Sequence, residues 1–228
     1  MELQSYQSWF DELVSWAKLD DRKDEVLQAR KEFFERTGEI FEDDRQFEAR
    51  MASFLEYFLF DRKGADGRTP AQARYQLALD QGPPERAAAF RPFTETLHGL
   101  YEVRKLEPHQ VKLRSLFGHG DYTVTERRQL AGLHKGDVLE ARLIPFGGFF
   151  WFSGAFTWHP TEAARLIVHE AKRRVKSGQP EAELMSDCAR RALKVGRYRN
   201  IAVEKIYDFT GKSPLPSGEA AAPRSPPP

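Results

Sequence analysis

The stretch Val138–Pro160, VLEARLIPFGGFFWFSGAFTWHP, decides how this chain folds. From Val138 to Ile144 the apolar residues Leu139, Ala141 and Leu143 alternate with Glu140 and Arg142, the pattern of a strand with one wet face. Gly147 and Gly148 lack the Lys and Ser or Thr that would follow in a phosphate-binding loop, so they read as a hairpin turn. The next segment, Phe149 to Trp158, is apolar on both sides, and helices or an opposite barrel wall are expected to cover both of its faces. Pro160 then opens a helix.

Upstream the same two-residue period runs through Leu100 to Leu106, Val111 to Leu116 and Tyr122 to Thr125. Turn-forming pairs separate these segments: Pro108 with His109, Gly118 with Gly120, and Gly136 with Asp137. Such short connections favour antiparallel neighbours, because a parallel pair needs a long crossover. Five strands over this distance predict a small antiparallel sheet or half-open barrel.

Helical periods flank it. Tyr6, Trp9, Phe10, Leu13, Trp16 and Ala17 share one face of a segment from Leu3 to Lys18; a second segment from Asp24 carries Phe33 and Phe34 and stops at Gly38. A third, capped by Asp43 or Asp44, shows the stripe Phe47, Met51, Phe54, Leu55, Phe58, Leu59. Thr69, Pro70 and Gln72 form a start signal for a fourth, and a short helix through Phe90 and Phe93 follows. After Pro160 two amphipathic helices divided by Gly178 and Pro180 are expected, then a last helical segment in Tyr198 to Phe209. The chain thus predicts an α+β protein in four parts: a helical region 1–96, a small β domain 97–160, basic helices 161–210 and a disordered proline-rich tail 211–228.

The charges nearly cancel, 35 Lys and Arg against 34 Asp and Glu, but they are not evenly spread. Residues 1–61 carry 16 acidic and 8 basic groups, and residues 161–205 carry 11 basic and 6 acidic, so the two helical ends are opposite in sign. No apolar run reaches the ~20 residues of a spanning helix. The first residues, MELQSYQSWFDEL, are acidic and helical where a secretory signal would be basic and then apolar, which predicts a cytoplasmic protein without a membrane partner. A single cysteine, Cys188, agrees with a reducing compartment.

Six histidines, His98, His109, His119, His134, His159 and His169, are the first place to look for catalysis. None has the spacing of a metal pair, so no metal and no cofactor are expected. Ser153 is not in a nucleophile elbow, and the small residues around it read as room for another backbone. His159 reads as a cap for the following helix. An enzyme would need His159, Glu140 and Asp121 to converge.

Without such a set, binding is the better reading. Trp9, Phe10, Trp16, Phe33 and Phe34 are aromatic anchors suited to a protein partner. The alternative is RNA or single-stranded DNA, held by the basic helices through Arg173, Arg174, Arg190, Arg191, Arg197 and Arg199. Its competing explanation is salt bridging of these arginines to the acidic N-terminal helices.

The phrases FLEYFLFDR (Phe54 to Arg62), LHGLYEV (Leu97 to Val103), GDVLEARLIPFGG and FSGAFTWHP (within Gly136 to Pro160) resemble a poorly characterised bacterial family. In it a helical segment with an aromatic-FDR phrase precedes a small β domain, and some relatives carry a Cys and His zinc-binding SEC-C tail. This chain lacks the tail cysteines, so the resemblance implies no zinc here and no catalytic residues. In size and general look the chain is also similar to the myxobacterial proteins that hold a secreted subtilisin-like protease inactive inside the cell. That similarity implies a non-catalytic regulatory protein whose partner is a protease.

Overall fold

The computed structural model describes residues 3–18, 22–125 and 132–211. The proline-rich tail lies outside them, apart from Gly211. The element order is α1 (Leu3–Ala17), α2 (Lys23–Thr37), α3 (Phe47–Glu56), a π-helical turn (Tyr57–Asp61), α4 (Pro70–Gln81), α5 (Pro84–Phe90) and a 3-10 turn (Arg91–Thr94). Five strands follow: β1 (Leu97–Glu107), β2 (Gln110–Ser115), β3 (Asp121–Thr125), β4 (Val138–Phe146) and β5 (Phe149–Trp158). Three helices complete it, α6 (Thr161–Lys176), α7 (Glu181–Arg197) and the short α8 (Val203–Ile206).

The fold is α+β, with helices on either side of a small β unit as the periodicities predict. The β unit is a closed barrel in the order β1-β2-β3-β5-β4, with β4 returning to β1. Four pairings are antiparallel. The fifth, β3 with β5, is parallel and rests on Val124 opposite Phe150 and Thr125 opposite Trp151. The expectation of a wholly antiparallel sheet is corrected there: Greek-key order puts two non-consecutive strands side by side, and closure removes two exposed edges. This order is that of the small OB-type barrels, a fold that hosts many functions and decides none.

Three cores share the barrel wall. Inside, Val103, Val111, Leu113, Val124, Leu139, Ala141, Leu143 and Phe152 fill the barrel. The outward residues Ile144 and Phe146 belong instead to the N-terminal helical core, with Leu13, Phe33, Phe34, Phe58 and Phe90. On another side Leu100 and Val138 pack with Ile167, Leu184, Ile206 and Tyr207 of the C-terminal helices.

Two local predictions hold in detail. Thr69 Oγ1 accepts from Gln72 N and Gln72 Oε1 accepts from Thr69 N, the reciprocal capping box. Gly147 and Gly148, at φ 65° and 80°, form the two-residue hairpin turn between β4 and β5.

Four others are corrected. Asp44 does not cap α3, whose N-cap is Gln46; its carboxylate accepts from Phe41 N and from Arg197. His159 does not cap α6 but is buried against Tyr207. Gly154 itself is exposed with open space about it, so the close packing expected of these small residues is confined to its buried neighbours Ser153 and Ala155, over which α3 lies. Ser153, Gly154 and Ala155 together face Arg142 across a β-bulge, where the register slips between Ala141 and Leu143. β5 is also not covered throughout: Phe152 is buried, but Phe149 and Trp158 are exposed.

Candidate functional site

The decisive feature is the outer face of β4. Glu140 and Arg142 alternate with the barrel interior as their pattern requires, yet their side chains are only 13% and 2% exposed. The N-terminal helices cover this face, with α3 lying over β5, and the polar stripe becomes the floor of a cleft between helices and barrel.

Arg142 is the hub. Its Nη2 donates to Asp61 Oδ2 at 2.5 Å, its Nη1 to Thr96 Oγ1 at 2.9 Å, and its Nε stands 3.4 Å from Glu56 Oε2. The Phe60 ring lies beneath the guanidinium, 4.9 Å from its centre. Glu56 and Asp61 are five residues apart, which on an α-helix would place them on different faces. The π turn corrects this: Arg62 N donates to Tyr57 O across five residues, so positions five apart stack and both carboxylates reach one arginine. Glu56 Oε1 also accepts from Ala155 N at 3.0 Å, the amide that the β5 bulge frees from its strand partner. Burial pushes the Glu56 carboxyl above its ordinary range, and the Arg142 charge opposes that.

His98 of β1 sits beside this hub, its Nε2 3.1 Å from Glu140 Oε1 and its Nδ1 3.7 Å from Asp61 Oδ2. Burial works to raise Glu140, but the His98 hydrogen bond and the Arg50 charge work against it, and the carboxyl is held below its ordinary value. Glu140 is therefore an anion. Its second oxygen, Oε2, is buried without a hydrogen-bond partner.

Arg50 of α3 enters from the helical side, 2% exposed. Its Nη2 donates to Thr37 O at 3.1 Å and Thr37 Oγ1 at 2.6 Å at the C-terminal end of α2, while Nε has no partner. Among the described residues no carboxylate comes within 4.0 Å of Arg50, although the rings of Phe33 and Phe34 flank it. Burial lowers its pKa from the ordinary arginine value, and the Glu140 charge works against that.

These residues line a cavity of about 410 Å³, whose walls include Phe33, Tyr57 and Phe60 and whose rim includes Arg36, Ala182 and Ser186. A recess of about 20 Å³ continues inward between Glu56, Glu140, Arg142 and Thr157. Behind the wall His159 is buried, with Nδ1 2.9 Å from Tyr207 Oη and its pKa lowered to about 4 by burial.

Of the trio His159, Glu140 and Asp121, the first two are neighbours. Asp121 is exposed at the start of β3, bound to Arg114 at 2.8 and 3.0 Å, and takes no part in the cleft. Phe33 and Phe34 are buried, and Trp9, Phe10 and Trp16 pack half-buried on the same core, so these rings serve the chain's own interior.

Of the basic-helix arginines, Arg173 and Arg174 bind Glu170, and Arg174 and Arg190 bind Asp187. Arg191 donates to Ile206 O and lies over Phe209. Arg197 binds Asp44 at 2.6 Å, and Arg190 donates to Arg36 O of α2, so the opposite charges of the two ends do meet. Arg199 is exposed.

The cleft residues Arg50, Asp61, His98 and Arg142 were missed by the sequence reading. The phrases that carry the family resemblance do touch them: FLEYFLFDR holds Glu56 and Asp61, LHGLYEV holds His98, and GDVLEARLIPFGG holds Glu140 and Arg142. Among the described residues no group of three His, Cys, Asp or Glu is placed to hold a metal ion, and no helix is long and apolar enough to cross a membrane.

The chain belongs to the Family of unknown function (DUF7986), whose model matches residues 22–201. The match takes in every residue of the cleft from Phe33 to Ser186. Comparison with curated proteins and with solved structures found no match.

Proposed function

We propose that this protein is a cytosolic small-molecule-binding protein, and that the cleft between its helices and its barrel takes a ligand with an anionic group. The single observation that carries this reading is Arg50. A buried guanidinium normally has a carboxylate partner, because desolvating a lone charge costs several kcal/mol (about 3–5 when one partner of a buried pair is removed). Arg50 faces the cleft without one, held in place by Thr37, and a carboxylate or phosphate there would supply the missing charge. Arg36 at the rim adds a second cation over the Tyr57 ring. The cavity volume falls at the small end of ligand sites, about 300–1,000 Å³.

The aromatic residues that pointed to a protein partner are engaged in the core, and most of the arginines that pointed to nucleic acid are engaged by carboxylates. On the barrel itself, the outward residues of β2 and β3 are Lys112, Arg114, Asp121 and Thr123, none of which offers a ring on which a base could stack. The cleft is the better-built site.

Thermal shift and titration calorimetry on the whole chain, with a panel of millimolar carboxylates, amino acids, inorganic phosphate and nucleoside monophosphates, test the reading. Saturable binding by an anionic member, lost in Arg50→Met but kept in the exposed control Arg199→Ala, is expected. A panel in which no anion binds, or in which Arg50→Met binds as wild type does, would overturn it.

A further inference from the structure

Arg50 and Glu140 carry opposite charges, line one cavity and do not touch: no ion pair within 4.0 Å joins them. Each is clamped by its own support. Thr37 holds Arg50 from α2, and His98 holds Glu140 across the β1–β4 pairing. Each also keeps a buried polar atom without a partner, Nε of Arg50 and Oε2 of Glu140. Opposite charges in a low-dielectric interior attract strongly, so two that are held apart form a fixed dipole across the space between them. They are near enough to feel each other's charge: Glu140 works to raise the pKa of Arg50, and Arg50 works to lower that of Glu140.

The same cavity has apolar walls beside its polar ones. Phe33, Tyr57 and Phe60 present rings, and Met185 of α7 adds a thioether.

We propose that the ligand is a zwitterion, a free amino acid with an apolar side chain, whose carboxylate meets Arg50 and whose ammonium meets Glu140. This rests on the anion-site reading above and adds the second pole. A plain organic acid would satisfy Arg50 but leave Glu140 desolvated and unpaired. A plain amine would do the reverse. The amino acid answers both, and its side chain lies on the rings.

The test is calorimetry on the whole wild-type chain with ligands that differ by one pole: phenylalanine, its deaminated form 3-phenylpropionate, and its uncharged-end form phenylalaninamide, with leucine and 4-methylpentanoate as a second pair. The amino acid is expected to bind at least about tenfold more tightly than its deaminated form, the size of one charge-assisted hydrogen bond. Glu140→Gln, which keeps the shape, is expected to erase that ratio, weakening the amino acid and tightening the deaminated acid, whose carboxylate then no longer shares the cavity with an unpaired anion. Equal binding of amino acid and deaminated acid by wild type sinks the zwitterion and leaves the anion site standing. Binding of phenylalaninamide as tight as phenylalanine, or no binding of any acid, sinks the anion site as well. If Glu140→Gln does not fold, the wild-type comparison still decides.

Discussion

His159 Nδ1 stands 2.9 Å from the hydroxyl of Tyr207, and the two rings meet edge to face, so the end of β5 is fastened to the segment that follows α8. Both residues are buried, and this bond joins the barrel to the C-terminal core behind the cleft wall.

Tyr207→Phe removes that hydroxyl alone and leaves a buried ring nitrogen unpaired. It should lower the unfolding free energy by about 1–3 kcal/mol. Urea unfolding of the variant beside wild type measures it.

The same histidine makes stability pH-dependent. In the folded chain its pKa is near 4, against 6.5 in an ordinary setting, so the folded state stays neutral where the unfolded chain takes up a proton. Stability is full above pH 6.5 and falls as the pH drops toward 4. At about pH 5 this one group removes roughly 2 kcal/mol. Glu140, Asp44 and Glu170, all held below the ordinary carboxylate range, extend the loss to lower pH, while the raised Glu56 opposes it. Urea unfolding at about pH 7.5 and pH 5 should show the drop in wild type and a smaller one in His159→Gln.

Arg142→Met keeps the volume and removes the charge that Glu56 and Asp61 share. Glu56 is then a buried carboxylate without its cation, and the loss should be about 3–5 kcal/mol. Adding Glu56→Gln should return part of it, because the two changes act on one contact. Denaturation of the single and double variants reads the coupling.

Arg173 and Arg174 both bind Glu170, but Arg173 is exposed whereas Arg174 is largely buried and also holds Asp187. Arg173→Ala should cost less than about 1 kcal/mol and Arg174→Ala about 2 kcal/mol. Equal effects in parallel melts would contradict this division.

Much of the fold was legible in the residues. The alternation in β4 placed Leu139, Ala141 and Leu143 inside, and the Thr69–Gln72 box and the Gly147–Gly148 turn announced themselves because local chemistry fixes them. Alternation reports that two faces differ, however, and not that the polar one is wet. Glu140 and Arg142 read as solvated because nothing in their own strand shows that α3 and the π turn will cover them. Barrel closure was hidden for a related reason: the β3–β5 pairing is short and joins segments distant along the chain. The cleft draws on α2, α3, the π turn, β1, β4 and α7, so no spacing within one segment could reveal it.

The widened turn at residues 57–61 has a consequence for how this sequence can change over time. Removing one residue there would restore an ordinary helix and rotate everything after it by roughly 100°, carrying Asp61 away from the guanidinium it shares with Glu56. Length in this short segment is therefore under the same constraint as the identity of the acids around it, and a chain that had lost the extra residue would have to give up or replace Arg142 to stay folded.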